Sequence, residues 1–192
     1  KSADTAMYAA KQAGKQCYAF YSEDMAKEAY FRLKKEQMLQ EAFEQKQYKL
    51  YYQPQVSMET GRMIGMEGLV RWQHSERGLI LPEEFIVELE QLGLIIELEN
   101  WAMRTACEQI MRWKAKGLPY LQVSVNISIS HFKDPKLISS VHDVLAETGV
   151  PAEYLALELS ENILSENDFL NTIEQLKSLG VKVAIDNFGK GY

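Results

Sequence analysis

The sequence predicts an α/β fold built on a mainly parallel sheet. Three observations carry this. Apolar runs of strand length, VSVNIS, YLALEL and VKVAID, recur at 123–128, 154–159 and 181–186. Helical stretches closed by Gly149 and Gly180 separate them. The resulting repeat, about 30 residues per strand and helix, is that of βαβ units. Such runs suit strands covered on both faces.

The elements follow in order. Residues 3–14 read as a helix, with Ser2 or Asp4 to cap it and Gly14 to end it. Cys17 to Tyr21 alternates and carries aromatics, which predicts a short strand. Residues 23–46 lack Gly and Pro and are rich in Glu, Lys, Gln and Ala. Met25, Ala29, Leu33, Met38, Ala42 and Phe43 draw a thin apolar stripe along this stretch, the pattern of a helix that connects domains or pairs with a partner helix. Leu50–Val56 and Met63–Trp72 read as two strands of a hairpin around Glu59-Thr60-Gly61-Arg62. Pro82 suits a first helical turn, with Glu83 and Glu84 at its positive end. A helix over 97–116 ends at Gly117. Then come a strand at Leu121–Ser128, a helix at 136–148, a strand at Tyr154–Leu159, a helix at 167–179 and a strand at Val181–Asp186.

The composition narrows the function. The chain has 192 residues, 46% hydrophobic and 25% charged, as in ordinary globular domains. No apolar run approaches the ~18–20 residues of a membrane helix, so no membrane contact is expected within this segment. With 21 Lys and Arg against 27 Asp and Glu the net charge is −6. An acidic chain without a basic block is not a general nucleic-acid binder. Cys17 and Cys107 form no CxxC pair and read as reduced thiols of a cytoplasmic protein. The chain begins at Lys1 and stops at Tyr192 just after a glycine-rich stretch, which reads as a piece of a longer protein.

Parallel α/β proteins place their chemistry at the C-terminal ends of the strands. Here Glu67 lies in an otherwise apolar strand, Asn126 near the end of VSVNIS, Glu158 near the end of YLALEL, and Asp186 at the end of VKVAID. Burying one carboxylate is costly and a nearby cation or amide can offset it. Four such groups at one rim favour a divalent cation held by oxygen, Mg²⁺ or Mn²⁺. His74, His131 and His142 share no ligand spacing and read as surface or loop residues.

Six segments, in order, then resemble one family. They are Tyr52-Gln53-Pro54, Glu67-Gly68-Leu69-Val70-Arg71-Trp72, Pro82 with Phe85-Ile86, Val125-Asn126-Ile127-Ser128, Leu157-Glu158-Leu159-Ser160-Glu161 and Asp186-Asn187-Phe188-Gly189-Lys190-Gly191-Tyr192. Together they resemble the first two-thirds of an EAL domain, the cyclic di-GMP phosphodiesterase family, over about residues 36–192. Ala3-Asp4-Thr5-Ala6-Met7-Tyr8, with Ala10-Lys11 and Gly14, is similar to the C-terminal tail of a GGDEF diguanylate cyclase domain. The expected organisation is that tail at 1–22, a linker helix at 23–46 and an EAL-like barrel from 47 onward.

The resemblance implies a partial, modified TIM barrel whose first strand runs antiparallel to the rest. It implies metal-dependent cleavage of cyclic di-GMP to linear pGpG in bacterial signalling, by a parent that forms homodimers. Glu67, Asn126, Glu158, Asp186 and Asn187 are then metal ligands, with Glu67, Glu158 and Asp186 in the catalytic role. Arg71 holds a ligand phosphate, Gln53 touches the ligand, and Glu161 anchors the loop that begins at Phe188. Each has a plainer alternative: Arg71 as a surface cation, Glu161 as a helix cap, Gln53 as a strand-end residue. The aromatics Tyr51, Tyr52 and Trp72 read as core rather than as base-stacking platforms.

The sequence also departs from the family. Gly68 replaces the alanine of the E-A-L signature, and Lys190 replaces a threonine. Asn187 stands where the family has a second aspartate; an amide carbonyl coordinates without a charge and bridges two cations less well. The family's catalytic lysine and a later glutamate fall beyond Tyr192, so five strands of the eight are expected and the fragment alone is not a complete enzyme. Three functions follow for the parent: a phosphodiesterase, a receptor that binds cyclic di-GMP without cleaving it, or a scaffold acting through protein contacts.

Overall fold

The computed structural model describes residues 22–165, 169–186 and 189. The expected elements before Ser22, Cys17, and the loop residues Asn187, Phe188, Lys190, Gly191 and Tyr192 lie outside the described residues. The chain divides into two units, Lys1–Gln47 and Tyr48–Tyr192.

In the first unit, helix α1 spans Glu23–Glu44. The Ser22 hydroxyl accepts the Met25 N–H at 3.2 Å and caps its start. Lys46, with φ of 53°, turns the chain out of the helix. Along the helix, the Tyr30 and Phe31 rings meet edge to face and the Lys34 ammonium lies 5.3 Å from the Tyr30 ring centre.

The second unit is a mixed sheet with helices. Its strands are β1 (Tyr48–Val56), β2 (Met63–His74), β3 (Gly78–Ile80), β4 (Gln122–Ile127), β5 (Leu155–Ser160) and β6 (Lys182–Asp186). They are ordered β1-β2-β4-β5-β6, with β3 paired to β2. β1 is antiparallel to β2, whereas β2, β4, β5 and β6 run parallel. The helices are α2 (Ile86–Leu92), α3 (Ile95–Ala115), α4 (Ile129–Phe132), α5 (Leu137–Thr148) and α6 (Phe169–Ser178). Gly93 and Gly149 close α2 and α5 in the left-handed conformation that glycine adopts without strain. Pro82–Glu84 forms a 3₁₀ turn before α2, not the first turn of α2 itself.

Period-2 alternation splits the sheet. Val123, Val125, Ile127, Leu155, Leu157 and Leu159 are buried and pack with Met103, Ala106, Ile110, Val141, Val144, Ile173 and Leu176 from α3, α5 and α6. The intervening positions carry Gln122, Ser124, Asn126, Glu158, Ser160, Lys182 and Asp186. The expectation of strands covered on both faces holds for the first halves of β4 and β5, where Ser124 and Ala156 are buried opposite the core, and gives way to exposed positions toward the strand ends. One face holds the apolar core and the other carries the polar groups, because the apolar residues recur every second position. A correction concerns the aromatics. Trp72 is buried against Tyr48 and Phe85, and Tyr52 meets Trp113 edge to face, but Tyr51 is exposed. Its odd position on β1 places it on the polar face.

Candidate functional site

Strand register brings the predicted residues together. Gln53 on β1 pairs with Glu67 on β2, and Glu67 pairs with Ser124 on β4. Asn126, two residues on, pairs with Glu158 on β5. Glu158 pairs with Ala184 on β6, and Asp186 lies two residues further along. Directly paired residues and their i+2 neighbours share a face. Gln53, Glu67, Arg71, Asn126, Glu158 and Asp186 thus occupy the polar face, with Glu67 within β2, Arg71 further along it, and Asn126, Glu158 and Asp186 at or toward the C-terminal ends of β4, β5 and β6.

Contacts tie several of them. The Asn126 amide donates to a Glu67 carboxylate oxygen at 3.0 Å. Gln55, also on β1, donates to Glu158 at 3.4 Å. The Arg71 guanidinium donates to the carbonyl of Val70 at 2.8 Å. Gly189 N–H donates to Glu161 at 3.2 Å, and Glu161 opens a short 3₁₀ turn over Glu161–Ser165.

The electrostatics are those of crowded acids. Burial pushes the Glu158 carboxyl above the usual carboxylate range, and the neighbouring charges of Glu67 and Asp186 push it further. Hydrogen bonds from Ser124 and Gln55 oppose the rise. Among the described residues no three His, Cys, Asp or Glu side chains are already drawn together as a metal cage. The donor set nevertheless suits a hard dication. It is all oxygen, and three carboxylates that repel one another gain from a positive charge among them.

Beside these groups lies a cavity of ≈ 810 Å³, a size that admits a small organic ligand. Arg71, Asn126 and Asp186 line it together with Ser128, Ser160 and Asn162, over an apolar wall that includes Leu69, Pro82, Ile86 and Ile127. Pro82 and Ile86 reach it because the 3₁₀ turn and α2 follow β3 closely.

Two polar residues escaped the sequence reading. Glu99 on α3 is buried, and so is His131, which is no surface histidine. His131 Nδ1 lies 2.9 Å from the Glu99 carboxylate. The correction has a physical cause: its partner is 32 residues away in sequence. The one available signal was Glu99 itself, an acid within an otherwise apolar helical stripe of Ile95, Leu98, Ala102 and Met103. His142 is exposed beside Asp143, and His74 Nδ1 accepts from the Glu76 and Arg77 amides in the turn after β2.

A polar rim of acids, an amide and an arginine thus lies on a sheet whose first strand is antiparallel to the rest. Residues 36–192 match the EAL domain family, and the chain belongs to it. Over its whole length the chain is 36% identical to the bifunctional diguanylate cyclase/cyclic di-GMP phosphodiesterase MucR of Pseudomonas aeruginosa, covering 28% of that protein. It is 37% identical to the cyclic di-GMP phosphodiesterase PdeR of Escherichia coli, covering 29%. The chain therefore spans under a third of these relatives. In structure it resembles the PaMucR phosphodiesterase in complex with c-di-GMP, with a TM-score of 0.79 and 36% identity over 83% of this chain and 65% of that one. The EAL domain protein from Listeria monocytogenes superposes with a TM-score of 0.68 at 31% identity, over 79% of this chain and 59% of that one. The strands described here form part of a TIM-like barrel of this family.

Proposed function

We propose that the protein containing this chain hydrolyses cyclic di-GMP to linear pGpG with the help of Mg²⁺ or Mn²⁺. The observation that carries the reading is the shared face of Glu67, Asn126, Glu158 and Asp186, next to Arg71 and a ligand-sized cavity. The relatives named for this activity and the c-di-GMP complex of a similar domain support it.

Each residue has a task in this reading. Glu67, Asn126, Glu158 and Asp186 would hold the cation, with Asn187 as a further donor. Bound there, Mg²⁺ or Mn²⁺ supplies an activated water and neutralises charge on the phosphoryl oxygens. Arg71 grips a phosphate with its planar fork. Gln53, exposed on β1 opposite Glu67, contacts the ligand from the rim. Glu161, through Gly189 N–H, ties the loop after β6 to the end of β5. The parent then acts in the cytoplasm as a homodimer, with a GGDEF-like segment at 1–22, a linker helix at 23–46 and the EAL-like barrel from 47.

A second reading, a receptor that binds without cleaving, is favoured by Asn187. The test is pGpG production and ligand binding by the intact protein across a Mn²⁺ titration. Arg71→Ala should weaken cyclic di-GMP binding, since loss of one partner of a charge-assisted pair costs ~2–5 kcal/mol. Asn187→Asp should raise turnover more than affinity, because the added charge acts mainly on the transition state. Binding by wild type and Asn187→Asp with no cleavage by either puts the receptor reading first. Equal affinity of wild type and Arg71→Ala removes Arg71 from the site.

A further inference from the structure

At the end of β4, where Ser128 and Glu99 also reach the wall of the cavity, lies a set of buried polar groups to which the proposed chemistry assigns no task. Glu99, on the second turn of α3, is only 8% exposed, and His131, on α4, is fully buried. One Glu99 oxygen accepts the Ser128 backbone N–H at 2.8 Å. The other accepts the Ser128 hydroxyl at 3.1 Å and His131 Nδ1–H at 2.9 Å. The Ser128 hydroxyl in turn accepts the His131 backbone N–H at 3.2 Å. Each oxygen of the carboxylate is thus engaged, and the hydroxyl is held in one orientation. A buried carboxylate is tolerated only with such donors, and an apolar residue would fill the same helical position at less cost. Burial raises the acid's pKa, and the bonds from His131 and Ser128 draw it back.

Ser128 stands two residues beyond Asn126 and caps α4. Asn126 gives its amide hydrogen to Glu67, which leaves its carbonyl oxygen as the group available for a cation. A short covalent and hydrogen-bonded path therefore runs from α3 through Ser128 to Asn126. We propose that Glu99 is a positioning residue: by gripping Ser128 and His131 it fixes the end of β4, and with it the Asn126–Glu67 pair that faces the cation. The inference rests on the metal-dependent reading above. Partners bonded directly to a metal ligand alter affinity 10–100-fold, and Glu99, which acts through Ser128, is expected at the low end of that range.

The test uses the intact protein and four variants: Glu99→Gln, Glu99→Leu, His131→Asn and His131→Leu. Asn places an amide donor where His131 has Nδ1, whereas Leu has none. Amide exchange at Ser128 and the Asn126 side-chain resonances are read without metal, and Mn²⁺ affinity is read by calorimetry. Glu99→Gln and Glu99→Leu should speed Ser128 exchange, shift the Asn126 amide and weaken Mn²⁺ binding about tenfold. His131→Leu should follow them, and His131→Asn should stay close to wild type. Equal losses in His131→Asn and His131→Leu would overturn the proposal. So would unchanged Mn²⁺ affinity in a folded Glu99→Gln protein. If the wild type takes up no Mn²⁺, the metal-dependent reading falls by itself. The Asn126 resonances then decide the positioning role, and a Glu99→Gln spectrum identical to wild type at Asn126 removes it.

Discussion

Gly68 shows how a single missing methyl is absorbed. A Cβ there would lie 3.1 Å from a Leu50 methyl and 3.2 Å from the Ser124 carbonyl oxygen. Leu50 can turn aside, but the Ser124 carbonyl belongs to the neighbouring strand. Gly68→Ala should therefore destabilise the protein by about 1 kcal/mol, the low end of overpacking, as read by urea unfolding. A gain in stability would mean that the strands give way more easily than their pairing suggests. Glu158 makes a prediction of opposite character. Its folded pKa is raised, chiefly by burial, so folding favours the protonated acid. That contribution is complete below the unfolded value of about 4.3 and is lost as pH rises through the folded one. Without added metal, the melting temperature of wild type should therefore fall across this window relative to Glu158→Gln, as followed by calorimetry. Parallel pH profiles of the two proteins would refute the assignment. Cys107 is buried, and burial pushes its thiol up to about 12. Its alkylation in the native protein should stay slow from pH 7 to 10, and mass spectrometry of the labelled peptide would report it. At this scale the strand-end acids were legible in the sequence, since a carboxylate in an apolar run has few explanations. The Glu99–His131 pair was not, because neither residue shows its partner until α3 and α4 are packed.

Among the elements, those with a clear period were read within a few residues. Helices expected at 97–116 and 136–148 are found at Ile95–Ala115 and Leu137–Thr148. β3 was invisible: three residues, Gly78–Ile80, form a strand only because Trp72, Gln73 and His74 offer an edge. α4 is equally short and owes its start to the Ser128 hydroxyl. The strands were found, and the cover expected on both faces is present at the buried Ser124 and Ala156 but not at the strand ends. VSVNIS and VKVAID are apolar enough on average to suggest cover on both sides, yet the alternate positions carry Ser124, Asn126 and Ser128 in the first and Lys182, Ala184 and Asp186 in the second. The faces should respond differently to substitution. Leu157→Ala, on the packed face, should cost about 2–5 kcal/mol. Ser160→Ala, exposed on the polar face, should change stability by under about 0.5 kcal/mol. Similar losses at the two sites in denaturant titrations would contradict the division.

For the molecule as a whole, the stripe on α1 remains the feature with most reach beyond a single unit. Tyr30, Phe31 and Leu33 are exposed, and a solvent-facing apolar group on a long charged helix is commonly a contact surface. Where the proposed homodimer forms through this helix, Glu substitutions at Leu33 and Met38 should lower the sedimentation mass of the intact protein. An unchanged mass would exclude α1 from self-association. The split character of the sheet has another consequence. Over most of the sheet the apolar core residues point one way and the polar candidate residues the other, so the second set can be revised while the first is spared. Such a scaffold lets the chemistry of the polar face vary while the packed layer that carries it stays the same.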